Sequence, residues 1–247
     1  AMRRMAASNV VVGFCGTGGS PLFGVCDVAF MTPQSEYRPT EYMQAWAEMW
    51  FDPARRMEKA RCFLRRRAQV TAECWRENGH LQALGITLAD TALERFRSEL
   101  EQAGDVQELL LAEARWAKRL YADLAKGHGF PFAREEGARR SASAADLCNG
   151  FLDHGNYIAY GYAAVTLCGL GISFAMPLLH GKTRRGALVF DLADVIKDGY
   201  VMPLAFECAK AGDTQKDFRQ SLIERCQEAE VLDFLFGFMK ELCTKDM

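Results

Sequence analysis

The 247-residue chain has no C-x-x-C pair, and its nine cysteines are an odd number. That argues against a disulfide framework, and several of the cysteines sit in apolar runs as free core thiols do. A reducing, cytoplasmic setting is expected. No apolar run reaches bilayer-spanning length. The longest candidate, residues 157–179, is interrupted by Gly161, Gly169, Gly171 and Pro177, so no membrane association is expected. The basic pair Arg3-Arg4 precedes too short an apolar run to make a signal peptide. Internal repeats are absent. The GTGGS stretch at residues 16–20 lacks the Lys-Ser/Thr ending of a P-loop and reads as an ordinary turn. Nor is there an excess of either charge: the formal net charge is −2, which by itself predicts no polyanionic partner.

The chain is, however, 49% hydrophobic, enough to bury a sizeable core. Its charge is segregated. Residues 52–76 hold eight basic side chains against three acidic, whereas residues 213–247 hold five against eight. A near-neutral total can therefore cover one positive and one negative surface.

Residues 9–14 (NVVVGF) and 25–31 read as short β-strands. Two strands make a poor sheet on their own, so residues 1–32 are expected to be the C-terminal part of a truncated β domain. From Thr40 the period becomes helical, with Tyr42, Trp46, Met49 and Trp50 on one stripe. Asp52-Pro53 suits the start of a second helix ending near Asn78-Gly79. Further helices are expected over 87–101, capped by Thr87, and over 105–126. Residues 127–149 read as a mobile loop and 157–170 as a small-residue helix. Residues 173–179 and 187–190 read as two short strands joined by HGKTRRG. A helix over 191–211, bent or split at Pro203, and a last one over 216–242 complete the expectation. The fold class is mainly α: a helical catalytic domain, residues 33–247, preceded by the β remnant.

Chemistry concentrates at a few positions. Asp191 and Asp194, in DLAD, stand three apart and share a helix face. Following the strand ALVF, they would lie in a first helical turn, where negative charge is favoured. Capping accounts for an isolated pair of this kind. His180 ends the strand before the turn, and a hairpin brings it beside the DLAD helix. A histidine there is either a satisfied structural residue or, next to two carboxylates, a metal ligand. The turn itself carries Lys182, Arg184 and Arg185, which are a solvated tip or a phosphate clamp. Glu113 lies on the stripe of Leu109, Trp116 and Leu120, where a carboxylate is costly unless paired or metal-bound. Its neighbours Arg115, Lys118 and Arg119 do not face it well. Carboxylates with one histidine suit Mg2+ or Mn2+, the histidine favouring Mn2+. His154, beside Gly155-Asn156, reads as structural. The Arg65, Arg66, Arg67 run is a DNA-backbone contact or a solvated helix face.

The segments LDHGNYIAYGYAA, LLHGKTRRGALVFDLADVIKD and LLLAEARWAKRLYA, in that chain, resemble the signature segments of CRISPR-associated protein one, the adaptation integrase. VVVGFCGTGGSPLFG followed by TPQSEYRPTEY resembles its type I-F branch. The resemblance runs from about Val10 to the C-terminus. It implies an N-terminal β domain and a helical catalytic domain. It implies metal-dependent DNA cleavage and insertion of protospacer DNA into a CRISPR array, by attack of a DNA 3′-hydroxyl on a phosphodiester. The metal ligands would be Glu113, His180 and Asp194, with Asp191 a supporting acid of the same site. DNA would be held through backbone and shape, engaging Lys182, Arg184, Arg185, Arg115, Lys118, Arg119, Arg65 and Arg66. The resemblance also implies a homodimer joined to CRISPR-associated protein two, fused in type I-F to a helicase-nuclease. The family's further strands before Val10 are absent here. A truncated, catalytically impaired DNA-binding subunit of the adaptation complex is therefore the alternative expectation.

Overall fold

The computed structural model describes residues 4–5, 8, 12–13, 30–31, 40–135, 143–181 and 186–244. Among them the chain is mainly α-helical. A short antiparallel pair, β1 (Val12–Gly13) and β2 (Phe30–Met31), sets Val12 opposite Met31 and Gly13 opposite Phe30. The rest of the expected strands over 9–14 and 25–31, and the GTGGS turn, lie outside the described residues. None of the described helices is long and apolar enough to cross a membrane. The seven described cysteines all carry free thiols.

The described helices are α1 (Glu41–Phe51), α2 (Pro53–Glu77), α3 (Gly79–Ala83), α4 (Asp90–Gln102), α5 (Val106–His128), α6 (Ala144–Gly169), α7 (Ala187–Ile196), α8 (Met202–Ala211), α9 (Gln215–Glu228) and α10 (Val231–Thr244). A π-helical turn, Lys197–Val201, joins α7 to α8. Two compact units result. One comprises Ala1–Lys59, Tyr157–Ala193 and Glu230–Met247; the other comprises Ala60–Asn156 and Asp194–Ala229.

In the first unit, α1 packs on α10. Its stripe is anchored by indoles: Trp46 Nε1 donates to the Met176 carbonyl at 3.3 Å and Trp50 Nε1 to that of Pro177 at 2.7 Å. These bonds hold residues 173–180 in bends and turns rather than a strand. The expected strand over 187–190 is likewise absent, since α7 runs from Ala187 to Ile196 with every residue buried. A helix buried on all sides has no solvent-facing stripe, so its first four residues, all apolar, imitate a buried strand. Consequently Asp191 is mid-helix and Asp194 lies in the last turn, and the first-turn argument for their charge does not hold.

In the second unit α5 packs on α4 and α8, and α8 on α9. Asp52 does cap α2, accepting from the amides of Ala54 and Arg55 at 2.9 and 3.1 Å. Asp105 caps α5, accepting from Glu108 N at 2.9 Å. Thr87 caps nothing: α4 starts at Asp90, after Ala89. The expected loop over 127–149 is helical at both ends, since α5 runs to His128 and α6 starts at Ala144; residues 136–142 of it lie outside the described residues. Residues 133–135 are tied to α6. Arg134 donates to Asn149 (3.1 Å) and Asp153 (2.6 Å), and Asn149 Nδ2 donates to the Ala133 carbonyl at 2.9 Å. His154 lies within this helix, not in a turn, and its Nε2 is buried with no hydrogen-bond partner among the described residues. The expected single helix over 216–242 is two, parted at Glu230, which adopts a left-handed φ of 48°.

Candidate functional site

The predicted site residues fall into two groups, one in each unit. In the first unit His180 and Asp191 meet. Asp191 is fully buried and accepts four N–H groups: Leu178 N (2.6 Å), Leu179 N (3.1 Å), His180 N (3.1 Å) and His180 Nδ1 (2.6 Å). The carboxylate thus organises the turn that presents the histidine, a task sequence alone does not reveal. A proton on Nδ1 facing Asp191 leaves Nε2 of the neutral imidazole to carry the lone pair. A carboxylate behind a histidine in this way fixes the tautomer and orientation that metal ligation needs. Phe190 packs beside the ring at 5.9 Å between centroids, and Tyr160 meets Phe190 edge-on at 4.8 Å.

The second unit brings Glu113 and Asp194 together around Arg67, which the sequence leaves as either a DNA-backbone contact or part of a solvated helix face. Arg67, on α2, is buried, with its side chain 4% exposed. Its Nη1 donates to Glu113 Oε1 and stands 3.8 Å from Asp194 Oδ2. Its other edge forks onto Asp198, Nε to Oδ2 at 2.6 Å and Nη2 to Oδ1 at 3.1 Å. Trp116 Nε1 donates to the same Oδ2 at 3.0 Å. Lys197 Nζ pairs with Asp194 Oδ1. Burial works against the charge on Arg67. Asp198 first, then Glu113 and Asp194, reverse that effect and hold the guanidinium pKa well above its ordinary value.

Backbone geometry explains how Asp198 arrives there. The π turn closes with Met202 N donating to the Lys197 carbonyl. The next amide in that register belongs to Pro203, which has no N–H. The Asp198 carbonyl is left for Trp75 Nε1, at 2.9 Å. The bulge therefore sets the backbone of Asp198 against one indole and its carboxylate against another. The sequence contained signals for both missed residues. Arg67 shares the buried stripe of Ala60, Leu64, Ala68 and Thr71, and Asp198 stands four after Asp194.

The pairing expected to be weak for Glu113 is thus supplied by Arg67, from a different helix. Arg115 and Arg119 are exposed and paired elsewhere, with Glu99 at 3.0 Å and Asp123 at 2.8 Å. Lys118 is exposed. Arg65 pairs with Glu101 at 2.7 Å, and Arg66 donates to Gln69 at 3.1 Å. Lys182, Arg184 and Arg185 lie outside the described residues. No group of three His, Cys, Asp or Glu side chains among the described residues is arranged as a ready-made metal cage. Around Glu113 and Asp194 the cationic position is held by Arg67 and Lys197.

The chain matches the family model of CRISPR associated protein Cas1 over residues 1–227. It is 44% identical, over 254 residues, to the CRISPR-associated endonuclease Cas1 of Pseudomonas aeruginosa, covering 99% of this chain and 77% of that protein. To the corresponding protein of Pectobacterium atrosepticum it is 40% identical over 262 residues, with the same coverage. The structure of TtCas1 in complex with DNA aligns with a TM-score of 0.64 at 21% identity, over 99% of this chain and 79% of that one, and shows the same fold. The chain belongs to the CRISPR-associated protein Cas1 family.

Proposed function

We propose that the chain is a metal-dependent DNA endonuclease and integrase that inserts protospacer DNA into a CRISPR array, as a member of the type I-F branch. The observation that carries this reading is the convergence of two largely buried carboxylates, Glu113 and Asp194, on one cationic position. Glu113, Asp194 and Asp198 gather three carboxylates around Arg67 and Lys197. Such a cluster favours a further cation, and oxygen donors with one imidazole suit Mg2+ or Mn2+. Glu113, Asp194 and His180 would hold the ion, with Asp191 keeping His180 in the ligating tautomer. Bound there, a divalent ion would polarise the scissile phosphodiester and lower the pKa of an attacking 3′-hydroxyl.

The relatives in Pseudomonas and Pectobacterium carry the name endonuclease, and TtCas1 has been solved with DNA. On this reading Arg65, Arg66, Arg115, Lys118 and Arg119, with Lys182, Arg184 and Arg185, contact the phosphate backbone. Guanidiniums already paired at the surface lose little by exchanging partners, because exposed ion pairs contribute at most about 1 kcal/mol. The working assembly is a homodimer with CRISPR-associated protein two, and residues 33–247 form its catalytic part, preceded by a β segment.

A second reading is a DNA-binding subunit with an impaired site. It draws support from the cations already seated on Glu113 and Asp194. Incubation of branched DNA with Mn2+ or Mg2+ separates the two. The first reading expects cleavage that disappears in Glu113→Ala and Asp194→Ala. Equal cleavage by wild type and variants would refute the site, and binding without cleavage would support the second reading.

A further inference from the structure

We propose that Arg67 is a tethered counter-cation of the metal site: it holds Glu113 and Asp194 towards each other in the metal-free chain and competes with a divalent ion for them. This rests on the metal reading above and adds a residue outside the ligand set.

Three observations carry it. First, Arg67 is locked. Its fork onto Asp198, at 2.6 and 3.1 Å, uses two N–H groups, and Asp198 is itself fixed by Trp116 at 3.0 Å and, through its carbonyl, by Trp75 at 2.9 Å. A planar guanidinium pinned along one edge cannot swing away as a lysine would. Second, the edge left over is directed at the proposed ligands, with the single nitrogen Nη1 serving Glu113 and facing Asp194. Third, all the partners are buried or nearly so: the side chains of Asp198, Arg67, Asp194 and Glu113 are 0, 4, 9 and 15% exposed. Water therefore screens these charges weakly.

The two roles follow from the same charge. Without Arg67, two carboxylates would confront one another in a poorly solvated place, and that repulsion would splay them. With it, they are preset for a cation. A divalent ion must then share or displace the Nη1 contacts and bind beside a fixed positive charge, which lowers its affinity. Arg67 is on this account a positioning residue that sets the metal concentration at which the site fills.

The test is Mn2+ binding, read from the EPR signal of free Mn2+ and from the rise in Tm with added Mn2+, using the full chain. Arg67→Gln combined with Asp198→Asn removes both charges of the fork and leaves the net charge of the cluster unaltered. Mn2+ is expected to bind this variant about tenfold more tightly than wild type. Its Tm without metal should be lower, and its Mn2+-induced rise larger. Arg67→Lys keeps the charge but loses the fork, and a lysine free to swing away should bind Mn2+ more tightly than wild type and less tightly than the double variant. Should the double variant not fold, Arg67→Gln alone is measured, with the same direction expected. Affinity unchanged within twofold, or weaker, overturns the role of Arg67. Wild-type binding no tighter than that of Glu113→Ala overturns instead the metal reading on which it rests.

Discussion

Replacing Asp191 by alanine tests whether this residue is chiefly an organiser of the His180 turn. Its side chain is wholly buried and accepts three backbone amides and one imidazole N–H. Truncation would strand donors from Leu178 and Leu179, both buried, and from His180. Each buried donor left unmade costs about 1–3 kcal/mol. Relaxation and water entry recover part of the sum, so a loss of about 3–5 kcal/mol is expected, at the top of the range for single substitutions. His180→Ala removes one of the four bonds and leaves the amides satisfied, so it should cost about 1 kcal/mol. Urea denaturation followed by far-UV circular dichroism, in buffer with chelator, measures both. A cost below about 1 kcal/mol for Asp191→Ala, or equal costs for the two variants, would show that the carboxylate does not hold the turn.

Other substitutions probe separate links. Trp116→Phe removes one donor to Asp198 while the Arg67 fork remains; a loss of about 1–2 kcal/mol of unfolding free energy, measured by urea denaturation, is expected. At Gly155 an added Cβ would lie 2.4 Å from Val201 Cγ1, on a stiff β-branched side chain. Gly155→Val should therefore destabilise by about 3 kcal/mol, and a wild-type melting curve would refute the close approach. Glu230→Gly relieves a left-handed φ at the α9–α10 junction and should raise stability by about 1 kcal/mol, measured as an increase in Tm. Burial lowers the pKa of both His128 and His154. The unfolded chain then binds more protons below the ordinary imidazole value, near 6.5, so stability is complete above that pH and lost as pH falls towards the folded-state values. Denaturation midpoints at pH 7.5 and 5.5 should differ in that sense, and His128→Gln should flatten the difference.

The helical class and the main stripes were legible in sequence because amphipathic periodicity is local. Trp46 and Trp116 fall where their spacing requires. The meeting of His180 with Asp191 was also legible, although by the wrong device: a turn pinned by the carboxylate replaces the expected hairpin. What could not be read was α7, whose uniformly buried residues erase the period. Arg67 was hidden for a different reason. Amid a run of arginines its charge suggests solvent, and only the stripe of Ala60, Leu64, Ala68 and Thr71 indicates otherwise. The partners that make its burial tolerable, Glu113 and Asp198, are 46 and 131 residues away. Pairings so distant leave no local trace.

The π turn makes this stretch of chain intolerant of changes in length. Between Asp194 and Pro203 each residue is keyed to its place by counting: Lys197 reaches back to Asp194, Asp198 turns towards Arg67, and the proline silences one amide. Deleting one residue there would remove the wide turn and restore regular helix, in which Asp198 no longer falls opposite Arg67. A substitution alters one contact, whereas a single-codon deletion would act as a spatial frameshift, detaching the acidic cluster from its arginine while leaving its composition almost intact.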